Sequence, residues 1–64
     1  MKATFISVWD NCTAIESSCN YDKNENAVSN IETVDVDGMD IDICTDEYIL
    51  LPDGTEIRNF LYAD

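Results

Sequence analysis

The residues best suited to chemistry lie between Glu32 and Glu47, in the sequence ETVDVDGMDIDICTDE. This stretch holds seven of the fourteen acidic residues of the chain, with apolar side chains placed between them. Clustered carboxylates can bind a cation, transfer a proton or attract a positively charged surface. The seven acidic residues are Glu32, Asp35, Asp37, Asp40, Asp42, Asp46 and Glu47.

Calcium binding is the first chemistry to test, because DVDG resembles part of the EF-hand loop D-x-[DN]-x-[DN]-G. Alignment on Gly38 places Asp35 and Asp37 at the third and fifth loop positions. It also places Thr33 at the first position, and Cys44 where a bidentate glutamate is required. The sequence therefore predicts no specific calcium site.

Zinc binding and catalysis also find little support. The chain has no histidine, so a serine or cysteine nucleophile lacks its usual base. Cys12, Cys19 and Cys44 form no CxxC pair, which favours reduced thiols over a zinc site or a disulfide framework. An exposed row of carboxylates offers no contrast between a buried acid and an ionised base. We therefore predict a protein that is not an enzyme and that needs no metal or cofactor.

The charge balance restricts the partners of the protein. Fourteen Asp and Glu residues against three Lys and Arg residues give a net charge of −11. A surface this negative repels nucleic acid and anionic membranes, and it attracts basic protein surfaces. We predict that the seven acidic residues form a patch that occupies the basic groove of a nucleic-acid-handling protein. The alternative is a structural or weakly cation-binding protein, in which the carboxylates only provide solubility and protect sheet edges.

The length and the apolar content of the chain indicate one folded domain. Residues 1–64 leave room for a single thin core, and the hydrophobic fraction of 45% argues against disorder. The first residues contain no apolar run of signal-peptide length, and no segment approaches a transmembrane span. We therefore expect a cytoplasmic monomer or small homo-oligomer.

Alternation of apolar and polar residues predicts an all-β fold. Apolar residues take even positions in Val34–Asp37 and odd positions in Met39–Ile43, so the chain must turn or bulge at Gly38 to keep both sets in one core. Aspartates on such strands would stand roughly 6.8 Å apart in a regular exposed row. A loop or a short helix over residues 39–47 stays open, although the β-branched residues there disfavour a helix.

The remaining strands follow from composition and turn signals. Asp10-Asn11 predicts a reversal after the first strand, since both residues tolerate left-handed backbone geometry. Pro52-Asp53-Gly54 is the strongest hairpin signal, and we expect Cys44–Asp46 to be a loop before it. The sequence predicts an antiparallel meander of five or six short strands, forming a curled sheet or an open barrel. The other predicted strands are Ala3–Trp9, Thr13–Tyr21, Ala27–Val36 with a bulge near Asn30, Glu47–Leu51 and Thr55–Phe60, and the expected core includes Tyr48, Leu50, Ile57 and Phe60.

A resemblance covers nearly the whole chain. The chain resembles small acidic bacterial proteins of plasmids, prophages and other mobile elements. The resemblance lies in VWD at 8–10, TAI at 13–15, Cys19, Tyr21, NIETVDVDGMDID at 30–42 and DEYILLPDGTEI at 46–57. That resemblance implies a genetic setting and no catalytic residues. At the level of charge, the acidic row is similar to nucleic-acid-mimicking inhibitors such as certain anti-CRISPR and anti-restriction proteins.

Overall fold

The computed structural model describes residues 1–32 and 34–63. Its strands are β1 (Lys2–Trp9), β2 (Ala14–Asp22), β3 (Ala27–Ser29), β4 (Cys44–Leu50), β5 (Glu56–Ile57) and β6 (Leu61–Tyr62). They form one sheet in the order β5-β4-β1-β2-β3-β6. The described residues include no helix, and hence none that could cross a membrane. The prediction of an all-β fold is confirmed.

Strand β1 lies at the centre of the sheet, paired antiparallel with β2 on one side and with β4 on the other. Its Thr, Phe, Ile, Val and Trp residues have high strand propensity, and apolar side chains on both of its faces suit a central position in the sheet. A tight turn leads into β2, with the Trp9 N–H donating to the Thr13 carbonyl (2.9 Å) and Cys12 at a φ of 68°. The two predicted N-terminal strands are confirmed to within one residue at each end.

Strands β4 and β5 form the predicted hairpin around Pro52, but β5 covers only Glu56–Ile57 of the predicted strand Thr55–Phe60. The Leu51 N–H donates to the Thr55 carbonyl (2.9 Å), and the Gly54 N–H donates to the Leu51 carbonyl (2.9 Å). Gly54 has a φ of 95°, a conformation that side chains with a Cβ rarely adopt. Strand β4 begins at Cys44, so the expected loop over Cys44–Asp46 is wrong: this segment extends the strand beside β1.

The sheet is mixed, which corrects the prediction of an antiparallel meander. Strand β6 runs parallel to β3, with Ala27 opposite Leu61 and Val28 opposite Tyr62. Strand β4 returns beside β1 instead of β3, so consecutive strands are not always neighbours. The six-strand count is within the predicted range.

The chain connection between β5 and β6 forces the sheet to curl. These strands are the two edges of the sheet, yet only residues 58–60 separate them. A fully extended chain spans at most about 14 Å from residue 57 to residue 61. Six flat strands would place their edges about 24 Å apart. The sheet therefore bends into a half-barrel, as predicted by the curled-sheet expectation.

The core fills the concave face of this half-barrel. Ile49 and Val28 are completely buried there, and Phe60 packs edge-on against Phe5 with 5.8 Å between ring centroids. Phe60 and Ile57 are half-buried against the core, in agreement with the prediction. The buried cluster consists of Ala3, Phe5, Cys19, Tyr21, Val28, Ile49 and Leu51.

Tyr48 and Leu50 were expected in this core, and that expectation is wrong. Register places Tyr48 opposite Ile6 and Leu50 opposite Thr4, on the face of β1 that points away from Phe5. Both side chains are half-buried on the outer face. The neighbouring Ile49 takes the inner position, because alternate residues of a strand point to opposite faces.

Candidate acidic interface

Residues 30–43, here named the acidic loop, connect β3 to β4 without any strand among its described residues, 30–32 and 34–43. The predicted strand Ala27–Val36 therefore ends at Ser29, and the two short strands beside Gly38 do not form. Asn30, where a bulge was expected, has a φ of 53°, and the chain leaves the sheet there. Thr33, which was part of the predicted strand and of the calcium alignment, lies outside the described residues.

Backbone hydrogen bonds attach the acidic loop to the sheet near its two ends. The Glu32 N–H donates to the Ser18 carbonyl (2.9 Å), beyond the part of β2 that pairs with β3. At the other end, the Asp10 N–H donates to the Ile43 carbonyl (2.8 Å). The loop therefore runs from the middle of β2 to the turn that follows β1.

Aspartate side chains and Gly38 explain why the alternating sequence forms a loop here. The Asp37 N–H donates to Asp35 Oδ1 (3.0 Å), and the Met39 N–H donates to the Val36 carbonyl (3.0 Å). Gly38 between them has a φ of 84°. Short polar side chains that bind nearby backbone N–H groups compete with sheet pairing. The aspartates that create the strand-like pattern thus also disrupt it.

Polar residues of the turn after β1 hold the far end of the loop. Asn11 donates through Nδ2 to the Asp40 carbonyl, and the Asp42 N–H donates to Asp10 Oδ1 (3.4 Å). Sequence reasoning identified Asp10 and Asn11 only as a reversal and missed this role. The available signal was a turn rich in Asx residues, which commonly bind backbone groups.

Five of the seven predicted site residues belong to the acidic loop and are exposed. Among the described residues, the salt bridges involve only Arg58, so none of these five carboxylates is paired with a basic side chain. Their negative charges are free to act on a partner. The five are Glu32, Asp35, Asp37, Asp40 and Asp42.

The other two predicted site residues lie on β4 and have partners. Arg58 contacts Asp46 Oδ2 at 3.2 Å and also Glu56 Oε1 at 2.8 Å. Glu47 Oε1 accepts a hydrogen bond from the Tyr62 hydroxyl (2.8 Å). The predicted patch is therefore two groups: five unpaired carboxylates on the acidic loop, and two partnered carboxylates on a strand.

The acidic loop also exposes apolar side chains, which the sequence did not indicate. Val34, Met39 and Ile43 are 39%, 41% and 62% exposed, whereas the strand pattern placed these residues in the core. Val36 and Ile41 are half-buried. The surface of the loop therefore combines negative charge with apolar contact area, a combination found at many protein interfaces.

The described residues contain no group of three or more His, Cys, Asp or Glu side chains arranged to hold a metal ion. All three cysteines are free thiols, with Cys12 and Cys44 exposed. Burial raises the pKa of the Cys19 thiol, which keeps it protonated in the core. The Cys19 thiol is therefore not an activated nucleophile.

Comparison of the chain with protein-family models, with curated proteins and with solved structures returned no match. The resemblance to mobile-element proteins and the charge similarity to nucleic-acid mimics therefore stay predictions.

Proposed function

We propose that the protein is a non-enzymatic interaction module whose acidic loop binds the basic groove of a nucleic-acid-handling protein in the cytoplasm. The observation that carries this proposal is the set of five exposed loop carboxylates without a basic partner. A carboxylate that is paired with a basic side chain contributes little to the electrostatic field that the protein exerts on a partner. An unpaired carboxylate attracts cations over several ångströms.

The electrostatics of a nucleic-acid-binding groove support such a partner. Lys and Arg side chains in these grooves release counterions when phosphates bind, and carboxylates can take the place of those phosphates. The carboxylates of the acidic loop are not evenly spaced as they would be along a strand. The proposal therefore depends on the density of negative charge and not on a match to the regular spacing of phosphates. The loop is attached near both ends, which limits the entropy that it loses on binding.

The test compares two variants of equal net charge. The loop variant carries Asp35→Asn, Asp37→Asn, Asp40→Asn and Asp42→Asn, and Asn preserves the Oδ1 acceptor at residue 35. The control variant carries Glu16→Gln, Asp22→Asn, Glu25→Gln and Asp53→Asn, all on exposed positions outside the loop. Each variant removes four negative charges from a total of −11.

Binding is measured by titration against purified bacterial nucleases and DNA-binding proteins with basic grooves, at low and at physiological salt. Four weak charge contacts together are worth about tenfold in affinity. We therefore expect the loop variant to bind about tenfold more weakly than the control, with the difference shrinking as salt rises. Duplex DNA should compete with the wild-type protein.

Equal affinity of the loop variant and the control variant would contradict the proposal. That result would mean that any binding depends on total charge, and it would favour the alternative of a surface that only provides solubility and edge protection. Binding that persists in the loop variant at high salt would likewise contradict it.

A further inference from the structure

The outer edge of β4 lacks a neighbouring strand over part of its length. Strand β5 pairs only with Ile49 and Leu50, because it is two residues long. The stretch Cys44–Glu47 is here named the open edge. It pairs with β1 along one edge, and no strand among residues 1–32 and 34–63 pairs with its other edge.

The direction of the backbone groups identifies what the open edge presents. The Leu51 N–H and carbonyl both bond within the β4–β5 hairpin. Backbone groups of alternate residues in a strand point to the same edge, so those of Ile49 and Glu47 point outward as well. Ile49 is paired with Ile57, which leaves the N–H and the carbonyl of Glu47 facing outward without a strand partner.

In the register of β4 with β5, Asn59 is the residue that would pair with Glu47. Asn59 instead lies beside Asn26, next to β3. The Asn59 carbonyl accepts a hydrogen bond from Asn26 Nδ2, and the Leu61 N–H donates to the Asn26 carbonyl (2.8 Å). The Tyr21 hydroxyl in turn donates to Asn26 Oδ1 (2.6 Å). Asn26 therefore holds the last segment against β3, and the hairpin opens beyond Ile49.

A shallow open cleft follows the open edge, lined by Cys44, Thr45, Asp46, Glu47 and Arg58. Cys44, Thr45 and Glu47 are exposed on this edge. Where the register of β4 against β1 shifts, between Val8 and Trp9, Thr45 is an extra residue of β4. A bulge of this kind limits regular pairing, so the open edge accepts only a short strand.

We propose that the open edge pairs, backbone to backbone, with a short extended segment of a basic partner protein. Addition of a strand to a sheet edge is a common mode of peptide recognition. The charge selects the occupant, because two copies of a chain of net charge −11 repel each other. A Lys or Arg side chain on an added strand would approach Glu47, whose carboxylate is bound by the Tyr62 hydroxyl and not by a basic side chain. This inference rests on the proposed function, since it gives the form of the basic partner.

The first experiment measures amide hydrogen exchange in the wild-type protein by NMR. The probe is a synthetic peptide of alternating Lys and Val, and the matched control is a peptide of the same charge with prolines at alternate positions, which cannot pair as a strand. At saturation, the Lys-Val peptide should slow exchange of the Glu47 amide about tenfold or more, as expected for a new hydrogen bond of about 1.4 kcal/mol. The proline peptide should leave that amide unchanged.

The second experiment compares Glu47→Pro with Glu47→Ala. Both remove the carboxylate and its contact with Tyr62, and only proline also removes the outward N–H, at an edge position that tolerates it. The affinity for the Lys-Val peptide should be about tenfold lower in Glu47→Pro than in Glu47→Ala.

An unprotected Glu47 amide at saturating Lys-Val peptide would overturn the inference, as would equal affinities of the two variants. If Glu47→Pro does not fold, the exchange measurement decides alone. Neither outcome affects the proposed function, which fails only if the loop variant and its control bind basic proteins equally well.

Discussion

The central strands and the acidic loop have similar sequences and different structures. Strand β2 and the loop both alternate apolar with polar residues, yet Ile15 of β2 is 8% exposed while Ile43 of the loop is 62% exposed. In β2 the alternate residues Cys19 and Tyr21 pack in the buried core, whereas in the loop Asp35 binds the backbone N–H of Asp37. Alternation thus produces a strand only where neighbouring strands bury one set of side chains.

The largest expected effect tests burial in the two regions with the same substitution. Ile49→Ala should destabilise the protein by about 2 to 5 kcal/mol, because it leaves a cavity beneath a fully buried side chain. Ile43→Ala should change the free energy of unfolding by less than about 0.5 kcal/mol, as exposed substitutions do. Urea denaturation followed by tryptophan fluorescence measures both. Comparable losses in the two variants would show that the loop packs as tightly as the sheet.

A smaller effect compares the two glycines with positive φ. Neither Gly54 nor Gly38 has an atom within 4 Å of an added Cβ, so alanine at either position meets only backbone strain. Gly54→Ala should cost about 1 to 2 kcal/mol, since the β4–β5 hairpin holds residue 54 in its left-handed conformation. Gly38→Ala should cost less than half of that, because the loop can relax. The same denaturation measurement applies, and a greater loss for Gly38→Ala would contradict the comparison.

Local signals were sufficient to predict the strands nearest to each other in sequence. The turn at Asp10 and Asn11 and the hairpin at Pro52 are determined by turn chemistry within a few residues, and both were predicted. The parallel pairing of β3 with β6 depends on Asn26, which holds residues 59 and 61 far along the chain. No pattern within a few residues of Asn26 indicates that it bonds to residues 59 and 61, so the parallel pairing could not be predicted from the sequence.

The candidate site could be predicted in composition but not in arrangement. The exposure of Asp37 and Asp40 follows from their charge, because an unpaired carboxylate is costly to bury. Their regular spacing was inferred from a strand that does not form. The pairing of Asp46 with Arg58 requires β5 to lie beside β4, a relation across twelve positions that alternation does not encode.

The smallest expected effect is on the pKa of Tyr62, which should respond to Glu47 on β4 and not to Asp40 on the acidic loop. Desolvation and the hydrogen bond to Glu47 raise the pKa of Tyr62 from 10.0 to about 12. Because the folded-state pKa exceeds the unfolded value, the stability that this tyrosine contributes is present below about pH 10 and lost as the pH rises towards 12.

Glu47→Gln keeps an oxygen acceptor near the Tyr62 hydroxyl and removes the negative charge that opposes its ionisation. Ultraviolet absorbance titration of tyrosinate should therefore show the highest transition moving from about 12 towards 10.0. Asp40→Asn, which removes a charge from the acidic loop, should leave that transition in place. An equal displacement in both variants would mean that Tyr62 senses the total charge of the molecule, and the distinction between paired strand carboxylates and unpaired loop carboxylates would then fail.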